Sequence, residues 1–106
     1  MKTLNRVQLV GYVGNDPVIS QCNNGNYVAS FPVATHARLK NNHLKTTWHE
    51  IRIFGEEKIK NINTYLIKGS HVLIEGSLEY NVYFNEQGLK MQSAEIYAFY
   101  YMNLDR

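Results

Sequence analysis

Cysteine is almost missing from this chain: Cys22 is the only one in 106 residues. A lone thiol excludes an internal disulfide and any zinc site built on paired cysteines, and it suits a reducing cytoplasm. No apolar run approaches the ~20 residues that a membrane-spanning helix needs. The N-terminus lacks the basic segment and apolar run of a secretory leader, so neither secretion nor a membrane partner is expected. No charge sign dominates: 11 Lys and Arg stand against 9 Asp and Glu, and the net of +2 permits an anionic partner without demanding one. The four histidines, His36, His43, His49 and His71, show no metal-ligand spacing. No nucleophile elbow, phosphate-cradling glycine loop or dinucleotide fingerprint is present. Glu56 and Glu57 are adjacent and cannot face each other on a helix, so they read as helix-start acids rather than an acid/base pair. No enzyme activity, metal or other cofactor is expected.

What is present is a single domain, residues 1–106, with the 44% hydrophobic content of a globular protein. Residues 5–14 read as a strand with Val7, Leu9 and Val13 inward and Gly11 at a bend. Asn15-Asp16-Pro17 is a turn, followed by a short extended piece at Val18-Ile19-Ser20. The run Asn23-Asn24-Gly25-Asn26 marks a hairpin turn. The next strand spans Tyr27 to Thr35, where Pro32 argues for an edge or bulge. A polar, basic loop is expected over His36 to Lys45, and a strand over Thr46 to Phe54. Glu56, Ile59, Ile62 and Leu66 have helical spacing, with Lys68-Gly69 as the expected close of the helix. Two long strands follow, His71–Phe84 and Leu89–Tyr101, joined by a hairpin at Asn85-Glu86-Gln87-Gly88. Strands with interior glycines and one helix between the third and fourth predict an all-β fold, a five-stranded Greek-key barrel of the OB type. A two-sheet sandwich usually needs about seven strands.

Thr46–Phe54 holds the one tryptophan. Alternate residues of a strand share a face. Ile51 and Ile53 then form a core face, and Trp48, Glu50, Arg52 and Phe54 share the other. Two large aromatics with a cation between them make a platform on which nucleic-acid bases can stack. Tyr83, near the end of the following strand, falls opposite that strand's apolar set and extends the platform. Arg38, Lys40, Lys45, Arg52, Lys58 and Lys68 are cations able to follow a phosphate backbone. The competing reading makes Trp48 and Phe54 core residues and the lysines solubilising. The eight tyrosines also suit a protein–protein surface.

Several stretches together resemble the bacterial single-stranded-DNA-binding protein family. They are Asn5-Arg6-Val7-Gln8-Leu9-Val10-Gly11, Asn15-Asp16-Pro17, Val33-Ala34-Thr35, Thr47-Trp48-His49, Ile53-Phe54-Gly55, Tyr65-Leu66-Ile67-Lys68-Gly69-Ser70 and Ile74-Glu75-Gly76-Ser77-Leu78. They run in the family's order from the N-terminus to about Leu104. The resemblance implies an OB fold, a homotetramer (a dimer is the other possibility), and single-stranded DNA bound without sequence preference in replication, recombination or repair. It also implies a bacterial cytoplasmic, nucleoid-associated setting. It puts Trp48 and Phe54 at stacking positions, Tyr83 in place of a third aromatic, and Lys68 and Arg6 at basic positions.

The departures are as informative. Leu39 stands where some members carry tryptophan, Glu50 where arginine often follows the Trp-His pair, and Glu56 where lysine often follows Phe-Gly. Glu79-Tyr80-Asn81-Val82 replaces a basic run. Arg52 is expected to take over the cation's task from the Glu50 position. The family's linker and acidic, partner-recruiting tail do not follow Asp105-Arg106, so a tailless form without that recruitment is expected. The alternative function is an OB-fold protein-interaction module of the primosome type with weak DNA binding.

Overall fold

The computed structural model describes residues 1–105. It contains six strands and one α-helix in the order β1 (Val7–Val13), β2 (Val18–Gln21), β3 (Tyr27–Arg38), β4 (Leu44–Phe54), α1 (Glu56–Tyr65), β5 (His71–Phe84) and β6 (Lys90–Asn103). The sheet order is β1-β5-β6-β4-β3-β2, and β1 also pairs with β3. That second pairing closes five strands into a barrel, with β2 as an extra strand on the outside of β3. The strand pairs are antiparallel except for β4–β6, which run parallel through Glu50↔Glu95 to Ile53↔Ala98. The expected five-stranded OB barrel is thus present. The short piece at Val18 counts as a strand of its own, so the helix lies between β4 and β5.

Closure depends on two glycines. A Cβ on Gly11 would meet the Ala34 carbonyl oxygen at 2.2 Å, and one on Gly76 would meet the Tyr97 oxygen at 2.4 Å. Any side chain there would push neighbouring backbones apart at the point where strands cross. The β5–β6 register also shifts between Glu75 and Gly76, as expected of a bulge that bends a barrel strand.

The interior is built from Val13, Phe31, Val33, Ile51, Ile53, Val72, Ile74 and Ile96, and α1 plugs it with Ile59 and Ile62, with Leu66 just beyond. The alternation along β4 follows directly: Ile51 and Ile53 are fully enclosed, and their neighbours face out.

Three local expectations change. The basic loop is short, because β3 continues to Arg38 and β4 begins at Leu44. Cross-strand bonds hold the extension, Thr35 Oγ1 with His49 Nε2 at 2.9 Å and His36 Nδ1 with Thr46 Oγ1 at 3.0 Å. A 3-10 turn at Lys40–Asn42 reverses the chain, with Asn41 and Asn42 at positive φ. The helix ends at Tyr65, where the Leu66 N–H bonds the Ile62 carbonyl, so Lys68 and Gly69 lie in the following turn rather than in its last turn. Pro32 lies inside β3, between the residues paired with β2 and those paired with β1. Its missing N–H costs no ladder bond there, and its carbonyl accepts from Gly14 N–H at 2.9 Å.

Candidate nucleic-acid interface

The outer face of β4 carries Trp48, Glu50, Arg52 and Phe54. Its antiparallel partners on β3 are Ala34, Pro32, Ser30 and Val28, in the same order. Across the parallel pairing Glu50 meets Glu95 and Arg52 meets Tyr97. Those two residues face Glu79 and Ser77 on β5, and Asn81 and Tyr83 continue the same face toward the hairpin. Three strands therefore bring Trp48, Phe54 and Tyr83 onto one continuous outer surface. All three rings are open to solvent, at 60%, 40% and 49% of their full area. The reading that made Trp48 and Phe54 core residues does not fit this exposure. Phe54 is braced edge-on by Tyr97, with ring centroids 5.2 Å apart.

Between the aromatics lies a polar network centred on Glu95, which is only 6% exposed. Arg52 donates to both its oxygens, from Nε at 2.5 Å and Nη2 at 3.1 Å. The other Arg52 nitrogen, Nη1, donates to Ser30 Oγ at 2.6 Å. Asn81 Nδ2 donates to Glu95 Oε1 at 2.6 Å, and Ser93 Oγ donates to Glu95 Oε2 at 3.3 Å. The hydrogen bond from Arg52 holds the Glu95 carboxyl below the ordinary carboxylate range. Glu50 is pushed the other way: burial raises its pKa, Arg52 opposes this, and Glu95 adds to it.

Arg52 was expected to stand in for a missing phosphate-binding cation at the Glu50 position. Its guanidinium is instead committed to Glu95 and Ser30, so its charge is compensated within the protein. Arg6 is committed as well. It pairs with Glu75 at 2.6 Å and lies over the Phe99 ring at 5.7 Å, on the β1–β5 side of the barrel. Lys58 Nζ donates to the Phe99 carbonyl at 2.8 Å.

The other cations are differently placed. Arg38, Lys40 and Lys45 cluster at the β3–β4 turn, exposed and outside either ion pair found among the described residues. Lys68 lies in the turn after α1, whose position Asp16 fixes by accepting from the Lys68 backbone N–H at 2.8 Å.

Glu95 was not identifiable in advance as the partner of Arg52, nor Asn81 as a second donor to Glu95. The parallel β4–β6 pairing that brings Glu95 beside Arg52 joins residues 43 apart in sequence and leaves no local signal. No group of three or more His, Cys, Asp or Glu positioned to hold a metal ion occurs among the described residues.

Comparison with known proteins adds independent support. The model of the single-strand binding protein family matches residues 4–102. The mitochondrial single-stranded DNA-binding protein of Danio rerio is 33% identical, over 92% of this chain and 73% of its own length. That of Oryctolagus cuniculus is 34% identical, over 92% and 72%. A Plasmodium falciparum SSB, solved in complex with ssDNA, superposes with a TM-score of 0.88 at 34% identity, covering 99% of this chain and 98% of that one.

These relatives overturn the expected bacterial cytoplasmic, nucleoid-associated setting, since the curated ones are mitochondrial. The residues had offered only a lone cysteine on this point, and a reducing environment does not separate one such compartment from another. Barrel topology, family match and structural likeness agree: the chain belongs to the single-strand binding protein family.

Proposed function

We propose that this protein binds single-stranded DNA without sequence preference, in DNA replication, recombination or repair. Bases stack on Trp48, Phe54 and Tyr83, and Arg38, Lys40, Lys45 and Lys68 neutralise phosphates. Stacking needs only a π face, which every base has, so the binding is sequence-tolerant. The observation that carries the reading is the exposure of the sole tryptophan on one barrel face with two further open rings. The mitochondrial relatives favour an organellar setting for this work.

A self-associated state belongs to the same proposal. Val10, Leu73 and Met102 form an outward apolar row across β1, β5 and β6, flanked by the Tyr12–His71 stack at 4.7 Å. An apolar face of this kind suits a second copy of the chain, as a dimer or within a homotetramer. A second functional reading, an interaction module with weak DNA affinity, is favoured by the acids Glu50 and Glu79 on the platform.

Filter binding of oligo-dT at low salt separates the two. Alanine at Trp48, Phe54 or Tyr83 should each weaken binding by about five- to 150-fold, from ~1–3 kcal/mol per stacked base. Affinity that is already poor and unmoved by all three substitutions would favour the interaction module.

A further inference from the structure

We infer that Gly14 is the seat of Trp48 and positions its indole for stacking, an inference that rests on the DNA-binding reading above. Gly14 follows the last residue of β1, and its N–H bonds the Pro32 carbonyl at 2.9 Å. A Cβ placed on Gly14 would lie 2.3 Å from Cζ3 and 2.8 Å from Cη2 of Trp48, and 3.4 Å from Cγ of Pro32. The far edge of the indole therefore rests directly on the Gly14 α-carbon, beside the Pro32 ring.

Gly14 does not occupy the left-handed region, where Gly25, Gly55, Gly69 and Gly88 lie. Its backbone would accept any residue, so what it provides at this point is space. The atoms that fill that space belong to the end of a side chain, not to a neighbouring strand. An alanine here would displace the indole while leaving the barrel crossings at Gly11 and Gly76 untouched.

The seat matters because Trp48 is the most exposed of the three platform rings. An indole standing free on a strand must lose rotamer freedom when a base lands on it. One edge held against Gly14 and Pro32 leaves the ring ordered in advance, with most of its surface open. The pieces come from three places, the end of β1, the middle of β3 and the middle of β4, and only barrel closure brings them together.

The test is a double-mutant cycle on oligo-dT affinity with G14A, W48A and the pair, accompanied by near-UV circular dichroism of the DNA-free protein. G14A is expected to change the Trp48 near-UV band and to weaken DNA binding by up to the loss seen with W48A, about five- to 150-fold. In the W48A background the same glycine substitution should have no further effect, because no ring remains to displace. G14A paired with W48F, whose shorter ring does not reach Gly14, should bind like W48F alone.

Wild-type binding and an unchanged Trp48 band in G14A would overturn the inference, as would an equal loss in the presence and absence of the indole. If W48A itself binds DNA like the wild type, the stacking reading fails, and this inference fails with it. If W48A is weak but G14A is not, only the role of Gly14 is refuted.

Discussion

Removing Arg52 should damage the fold before it damages DNA binding. Glu95 is 6% exposed and receives two hydrogen bonds from the guanidinium; without them only Asn81 and Ser93 remain. Stranding one partner of a fully buried ion pair costs about 3–5 kcal/mol. The Arg52 side chain keeps 30% of its surface exposed, so water screens part of the loss, and about 1.5–3 kcal/mol is the fitting range for R52A. At ~4–8 °C per kcal/mol for a domain near this size, the melting midpoint should fall by about 6–24 °C at neutral pH. The pH dependence has a definite sign. The folded-state pKa of Glu95 is depressed, so its contribution is fully present above the ordinary carboxylate pKa of about 4.3 and is lost as pH falls through the folded value. The gap between wild type and R52A should therefore narrow in acid. E95Q added to R52A should recover part of the loss, because the stranded charge is gone. Thermal melts followed by far-UV circular dichroism from pH 3 to 7.5 supply the readout. An R52A protein that melts like the wild type, with a salt slope of DNA binding shallower by about 0.7, would refute the reasoning and return Arg52 to the phosphates.

Glu50 should make DNA binding tighten on mild acidification, since burial raises its pKa and protonation removes one negative charge from the platform. E50Q should bind about two- to fivefold more tightly at neutral pH and low salt and lose that pH dependence, as a titration series would show. With Arg6 and Arg52 paired internally, the four cations Arg38, Lys40, Lys45 and Lys68 remain for phosphate, and log K against log salt for poly-dT should have a slope of about −3. G76A should lower the melting midpoint by several degrees, because its Cβ meets the Tyr97 and Ala98 backbone and overpacking costs about 1–3 kcal/mol.

The sequence made some of these features legible and hid others for identifiable reasons. Period-two alternation in β4 separated Ile51 and Ile53 from Trp48 and Phe54 correctly, because a strand bound on both sides keeps a strict pleat. Gly11 stood out as a bend because an interior glycine weakens a strand unless something needs its space. The β3–β4 loop was drawn too long, since its polar residues read as coil while their side chains bond across the ladder. The ion pair of Arg52 was not legible because its partner lies on a strand paired in parallel far along the chain. Gly14 read only as the last residue of the first strand. Its contact with Trp48 exists only once β1 and β3 meet.

Trp48 is the only tryptophan, so its emission reports on a single point of the platform. The most direct measurement is its fluorescence during titration with oligo-dT at two salt concentrations. Strong quenching that saturates, with an affinity that falls at the higher salt, is the expected result. Emission unchanged at low salt by DNA that a mobility shift shows to be bound would contradict the placement of bases on Trp48.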